Sequence, residues 1–212
     1  MNFKLLIITL ALTSGFTGSV FAQQTTGDVS GAAILYEPDP KADADLIKQL
    51  KDKAVIIRTQ EGSFMIELFP EDAPKHVEHF LNLVESNYYQ GTIFHRIIPG
   101  FMIQGGDPNT KQSNQNNWGM GGPGYTINAE FNPRSHLTGI VSMARAMDPD
   151  SAGSQFFIVT SDNNTASLDN QYTVFGEVTE GIEIAHKIEN LPRNNNDCPL
   201  EEAKILHISI SE

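Results

Sequence analysis

The feature that most constrains the fold is a series of short β-prone segments separated by Gly, Pro and Asn. Helical periodicity interrupts this series at only two places after residue 54. The β-prone segments are residues 54–60, 63–69, 92–98, 101–104, 139–144, 155–159, 172–178 and 206–210. Because strands and helices do not alternate along the chain, a parallel sheet is not expected. The pattern predicts a mainly β protein, with an antiparallel sheet closed into a barrel.

Turn and helix signals support this architecture. Gly62 lies between the first two segments, at the position where a tight hairpin requires positive φ. Apolar residues at 77, 80, 81 and 84 follow helical spacing, with Asp72 as the expected N-cap and Pro74 in the first turn. A second short helix is predicted over residues 181–188.

The N-terminal region has a different character. Residues 1–22 combine Lys4, an apolar run and a Val-Phe-Ala ending, which is typical of a signal peptide. We therefore expect an exported protein, located in the periplasm, on the cell surface or outside the cell; an uncleaved anchor is the alternative. We predict a polar extension over residues 23–53, in which residues 43–50 could form a short helix. The folded domain is predicted over residues 54–212.

Charge and cysteine content exclude some classes. The formal net charge of −12 argues against binding the phosphate backbone of nucleic acids. Cys198 is the single cysteine, so no internal disulfide can form. We expect no stable membrane span, because the apolar run near the N-terminus is far shorter than the ~20 residues that crossing requires.

Several short motifs carry little weight. Residues 119–124 match G-x-G-x-x-G, but an Asn-rich segment precedes them, and Pro123 interrupts them, which favours a tight loop over a nucleotide site. His76 and His79 could share a metal ion, yet no third ligand is evident, and surface histidines are the better interpretation. No G-x-S-x-G elbow exists to support a serine hydrolase.

The segment FHRIIPGFMIQGGD at residues 94–107 is the densest in candidate chemistry. Arg96 lies in an otherwise apolar strand, where a guanidinium must be paired or must face a cleft. A buried ion pair with a carboxylate such as Glu67 is one interpretation, and a functional cleft is the other.

This segment, together with GIVSMARA at 139–146, GSQFFI at 153–158 and VFGEV at 174–178, closely resembles the cyclophilin family over residues 54–211. The resemblance implies a closed eight-stranded antiparallel barrel capped by two α-helices. It also implies peptidyl-prolyl cis/trans isomerase activity on Pro-containing polypeptide segments, in a monomer that needs no metal or cofactor.

The resemblance also implies roles for individual residues. Arg96 matches the catalytic arginine, and Gln104 the glutamine that positions it. Four side chains match those that hold the proline ring: Phe101, Met102, Phe157 and Leu168. The groove for residues before the proline is matched by Ala144, Arg145 and Gln155.

Departures from the family pattern alter these expectations. Ser167 stands where well-known members carry Trp, which implies weak cyclosporin binding. Tyr172 replaces a histidine but can still wall the pocket, and Arg145 replaces a common Asn. The loop at 109–120 is longer than usual and contains Trp118, which either contacts substrate or anchors the loop. A scaffold that binds Pro-containing segments without turnover is the alternative function.

Overall fold

The computed structural model describes residues 40–163 and 165–211. The predicted signal peptide at 1–22 and the first part of the predicted extension therefore lie outside the described residues. Within them, the helices are α1 (Pro40–Leu50), α2 (Pro74–Glu85) and α3 (Ile182–Glu189). The strands are β1 (Ala54–Thr59), β2 (Ser63–Leu68), β3 (Arg96–Ile98), β4 (Met102–Gly105), β5 (Ile140–Met143), β6 (Phe156–Val159), β7 (Val174–Glu180) and β8 (Ile205–Ser211).

All eight strands join one antiparallel sheet in the order β3-β4-β6-β5-β7-β2-β1-β8. The edge strands β3 and β8 share no ladder among the described residues. Beside them, Phe94 donates its N–H to the carbonyl of Ala203 at 3.0 Å, and Ile205 donates to Thr92 at 2.8 Å. The prediction of an antiparallel eight-stranded sheet is confirmed, but the sheet is a curled half-barrel without the continuous closure that was expected.

Three helices are present among the described residues: the two predicted after residue 54, and one that includes the short helix considered over residues 43–50. The additional helix is α1, which falls within the predicted extension. Leu50 at its end is buried in the core, and the carboxylate of Asp43 forms an ion pair with Lys75 Nζ of α2 at 2.9 Å. None of the helices in the described part of the chain is long and apolar enough to cross a bilayer.

Local signals in the sequence act mostly as predicted. Gly62 adopts a φ of 142° in the β1–β2 hairpin, which few other residues could adopt without strain. Asp72 was wrongly predicted as the N-cap of α2, because its carboxylate instead binds Arg134 at 2.7 Å. The carboxylate of Glu130 caps this helix from a distant loop, accepting the N–H groups of Lys75 and His76 at 3.1 and 2.9 Å.

Strand alternation divides the apolar residues into two clusters. Side chains such as Ile97, Ile103 and Ile158 point inward to the main core, which α2 and α3 also contact. A smaller second cluster forms on the opposite face of β4, β5 and β6 around Met102 and Phe157. The second cluster lies on the face that carries the candidate site.

Candidate active site

Cross-strand register places the candidate polar residues in one row. Arg96 of β3 pairs with Gln104 of β4, which pairs with Phe157 of β6. Directly opposed residues of an antiparallel pair project from the same face of the sheet. Met102 projects from this face one pleat along the same strand, so a guanidinium, an amide and two apolar side chains converge there.

The second cluster brings together all the apolar residues that the resemblance implies for the site. Met102 and Phe157 are 2 % and 5 % exposed and form its base. Partly buried side chains surround them, namely Phe101, Ala144, Leu168 and Tyr172. The Tyr172 ring meets Phe157 edge-on at 5.4 Å, so it walls the pocket as expected of this position. The result is an apolar depression open to solvent beside Arg96.

Arg96 is exposed and forms no ion pair among residues 40–163 and 165–211. Glu67 lies on β2, opposite Ala54 and Glu177 in the sheet, and is itself exposed. The interpretation of Arg96 as half of a buried ion pair with a carboxylate such as Glu67 is therefore wrong. Its guanidinium is a free cation facing the depression.

A chain of amide hydrogen bonds runs from Arg96 into a loop. Arg96 Nη1 donates to Gln104 Oε1 at 3.5 Å, and Gln104 Nε2 donates to Gln155 Oε1 at 3.0 Å. Gln155 Nε2 in turn donates to the carbonyls of Gly119 and Gly121 at 3.0 and 2.9 Å. Each amide is thereby fixed in orientation, and Gln104 presents its oxygen to the guanidinium.

Asp107 holds the far end of this chain, and sequence reasoning missed it. Its side chain is fully buried and accepts the N–H groups of Asn109, at 2.7 Å, and of Gly119. It also lies directly beneath the Cα of Gly121, since an added Cβ there would collide with the carboxylate. Asp107 therefore positions both glycines whose carbonyls hold Gln155. Only the folded loop could reveal this role of Asp107, because the loop has no strand or helix periodicity from which its contacts could be predicted.

His136 is a second residue that the sequence did not single out. Its buried ring stacks on Phe157 with the planes 15° apart and the centroids 5.9 Å apart. Its Nδ1 and its backbone N–H both bond to Asp169 Oδ1 at 2.8 Å, and these bonds hold the pKa of Asp169 below its usual range. His136 thus supports the base of the pocket and fixes the residue that follows Leu168.

A groove of about 540 Å³ adjoins the depression on the Gln155 side. Its lining includes Ala144, Arg145 and Gln155, the residues expected to receive the chain before the proline. Arg145 lies over the Tyr172 ring at 5.0 Å and donates its Nε–H to the carbonyl of Gln171 at 2.9 Å. The glycines of residues 119–124 form another wall of this groove. No helix begins between these glycines and β5, so the G-x-G-x-x-G spacing belongs to a loop and not to a nucleotide site.

The long loop contains two 3₁₀ turns, Pro108–Lys111 and Gln115–Asn117. Trp118 follows them, half-buried, and donates its Nε1–H to the carbonyl of Gln112 at 3.0 Å. It joins neither apolar cluster but lines a second cavity that also contains Arg96. Trp118 is therefore fixed by its own loop at the edge of the site and does not fold back onto the core.

The interpretation of His76 and His79 as surface histidines is wrong, because loops cover this face of α2. His76 is fully buried and bonds to Glu130 through Nδ1 at 2.7 Å. His79 Nε2 donates to the carbonyl of Gly153 at 2.8 Å, and burial lowers the pKa of its ring. Within the described ranges, no three His, Cys, Asp or Glu side chains are grouped to bind a metal ion.

Comparison with known families identifies this arrangement. The family model of the cyclophilin type peptidyl-prolyl cis-trans isomerases matches residues 54–210. This chain belongs to the cyclophilin family. The match covers every element from β1 to β8 and therefore the whole candidate site of this cyclophilin.

Individual relatives agree with this assignment. Peptidyl-prolyl cis-trans isomerase-like 3 of Dictyostelium discoideum is 41 % identical over 162 residues, covering 74 % of this cyclophilin and 94 % of the relative. Peptidyl-prolyl cis-trans isomerase 9 of Schizosaccharomyces pombe is 42 % identical over 168 residues, but the match spans 26 % of that protein's length. With cyp15 of Rhizopus delemar the match likewise spans 25 % of the relative.

A solved structure has the same fold. The cyclophilin type isomerase of Cryptosporidium parvum, crystallised in the presence of the dipeptide Ala-Pro, superposes with a TM-score of 0.68 at 38 % identity. The match covers 75 % of this cyclophilin and 99 % of the parasite chain.

Proposed function

We propose that this cyclophilin catalyses cis/trans isomerisation of X-Pro bonds in polypeptide segments, with Arg96 as the catalytic side chain. The observation that carries the proposal is an exposed guanidinium, without an ion pair among residues 40–163 and 165–211, beside a depression of partly buried apolar side chains. Family membership and the names of the relatives support the same activity. Gln104 serves as a positioning residue, because its oxygen contacts Arg96 and its amide is held by Gln155.

The chemistry requires no covalent step. Amide conjugation gives the X-Pro bond a rotation barrier of ~18–20 kcal/mol. Twisting the bond returns the lone pair to the proline nitrogen, which then accepts a hydrogen bond better than it does in either planar form. A guanidinium donor aimed at this nitrogen binds the twisted form selectively and so lowers the barrier.

The depression acts on the other part of the substrate. Phe101, Met102, Phe157 and Leu168 would hold the proline ring, while Tyr172 closes one side. The carbonyl before the proline then rotates against a fixed ring, while the bound segment displaces water from the depression. Uncatalysed exchange takes ~10–100 s, so millisecond turnover requires about four decades, or ~5.5 kcal/mol. A charge-assisted hydrogen bond and the exclusion of water together supply energies of this order.

A peptide assay coupled to an isomer-specific protease tests the proposal. Arg96→Ala should lower kcat/KM by ~100-fold, the loss typical of one transition-state donor, while the thermal midpoint changes little. Arg58→Ala is the matched control, since Arg58 is an exposed arginine on β1 that lines neither cavity. Binding of Pro-containing peptides by a wild-type protein without turnover would favour the scaffold function instead.

We further propose that the clients are exported proteins whose folding this isomerase assists. Lys4, the apolar run after it and the Val-Phe-Ala ending at residue 22 support export. Expression in a bacterial host followed by fractionation and mass spectrometry tests this. We expect the mature chain to begin at Gln23 in the exported fraction; an intact chain retained with the cytoplasm would contradict it.

A further inference from the structure

The second cavity adjoins the catalytic face and has no role in the mechanism above. Its volume is about 520 Å³, and it lies between the long loop and the segment before β8. It shares Gln104 and Gly119 with the first groove, and it includes Arg96, which the first groove does not. The remaining lining residues are His95, Gln115, Asn116, Trp118, Asn194, Asn196 and Cys198.

The charge of this lining is unusual for the protein. Arg96 is its only cation, and none of its residues is an acid, although the whole chain carries a net charge of −12. Burial lowers the pKa of His95, which favours the neutral form of this ring. Two acids lie just outside the lining. Asp107 is buried beneath the loop on two N–H groups, although its charge still acts on His95, and Asp197 pairs with Arg193 at 3.1 Å. The cavity therefore favours an anion.

Hydrogen-bond donors are already oriented in the cavity wall. Asn194 Oδ1 accepts the N–H groups of Asn196 and Cys198 at 2.9 and 3.1 Å, which leaves its NH₂ group as the donor available to a ligand. Trp118 stands opposite as a fixed wall, because its indole N–H is bonded to Gln112. A carboxylate could thus bind between a guanidinium edge and an amide donor.

We propose that the second cavity is a subsite for an acidic side chain, Asp or Glu, lying within two residues of the proline in the client. This inference rests on the proposed isomerase function. A segment that places its X-Pro bond at Arg96 brings its neighbouring side chains to the cavity mouth. The guanidinium has five N–H donors, so one edge can bind the carboxylate while another addresses the proline nitrogen. The subsite strengthens substrate binding and leaves the chemical step unchanged.

Matched peptides test the subsite. Each carries either Glu or Gln at one of the two positions before the proline or one of the two positions after it, with all other residues neutral. At one position or more, we expect the Glu peptide to have a KM about fivefold lower than the matching Gln peptide, with kcat unchanged. This is the effect of a half-exposed ion pair with an added hydrogen bond. The advantage should shrink as salt is raised from about 0.05 to 0.5 M. Equal KM values at all four positions would overturn the proposal.

Two variants locate the effect. Asn194→Asp keeps the oxygen that binds the loop and replaces the donor with a negative charge, so the preference for Glu should disappear. Asn195→Asp adds the same charge at the next residue, which is exposed and does not line the cavity, and the preference should remain. A preference that persists in Asn194→Asp would place the carboxylate elsewhere and contradict the subsite.

Failure of the isomerase proposal would look different. In that case no peptide would be turned over, whichever residue it carries. The emission of Trp118, the single tryptophan in the chain, still reports binding of the same peptides to the cavity. Tighter binding of the Glu peptides would then support the subsite alone, and equal binding would refute it.

Discussion

Asp107→Asn should damage catalysis although the side chain cannot touch substrate. The wild-type carboxylate is buried and binds the N–H groups of Asn109 and Gly119 with separate oxygens. In the variant one oxygen becomes an NH₂ group, which must face one of these N–H donors. The loop from residue 108 to 119 then loses its attachment at one end. Gln155, held by the carbonyls of Gly119 and Gly121, loses its fixed orientation as a consequence.

The magnitude follows from the lost bond. A hydrogen bond to a charged group contributes ~1.5–3 kcal/mol, and leaving a buried N–H unsatisfied costs ~1–3 kcal/mol. Local opening of the loop lets water reach the orphaned group, so we expect a net destabilisation of ~2–3 kcal/mol. For a domain of this size that lowers the thermal midpoint by roughly 5–10 °C. The fold should persist at 25 °C. The value of kcat should fall about tenfold because the positioning of Arg96 is lost, and KM should rise because Gln155 and Gly119 also line the substrate groove.

Calorimetry and the coupled peptide assay measure both effects. Asp162→Asn is the matched control, since Asp162 also accepts hydrogen bonds from a loop, through the backbone and hydroxyl of Thr138, but lies outside the site. Its kcat should equal that of the wild type. The side-chain amide signals of Gln104 and Gln155 should broaden or shift in Asp107→Asn. A less stable variant with unchanged amide signals and unchanged kcat would refute the positioning role and leave Asp107 a structural residue only.

Two further predictions concern other parts of the molecule. Ser167 is exposed in the 3₁₀ turn Ala166–Leu168 beside the pocket, so Ser167→Trp should tighten cyclosporin binding by adding an aromatic surface and an N–H donor; equal affinity in titration calorimetry would refute this. Burial lowers the pKa of His79 from 6.5 in the folded state, so the unfolded chain binds more protons there as the pH falls. The free energy of unfolding should therefore keep its full contribution from His79 above pH 6.5 and decrease as the pH falls below that value. Denaturant titration should show a shallower decrease in His79→Gln. An identical slope in the variant and the wild type would contradict the assignment to His79.

The parts of this protein that the sequence predicts are those governed by local periodicity. Alternation in β3 and β4 places Arg96 and Gln104 on one face, and the helix spacing from residue 77 to 84 marks the buried side of α2. Gly62 identifies a hairpin because the turn needs its positive φ. In each case the deciding neighbours lie within a few residues along the chain.

What the sequence did not predict depends on distant pairs. Glu130 caps α2 from a loop more than fifty residues away, so the nearer Asp72 was the natural but wrong choice. His136 and Asp107 look like ordinary polar loop residues until the fold buries them against Phe157 and beneath Gly119. Closure of the sheet similarly depends on the relative positions of β3 and β8, which no local pattern fixes.

The role of Arg96 as a transition-state donor is tested most directly by measuring binding and exchange on the same peptide. Nuclear magnetic resonance exchange spectroscopy gives the cis/trans interconversion rate of a bound X-Pro peptide, and titration gives its Kd. In Arg96→Ala the exchange rate should fall by ~100-fold while Kd changes less than about threefold, because the donor binds the twisted amide and not the planar one. A loss of exchange matched by an equal loss of affinity, or exchange at the wild-type rate, would contradict the mechanism.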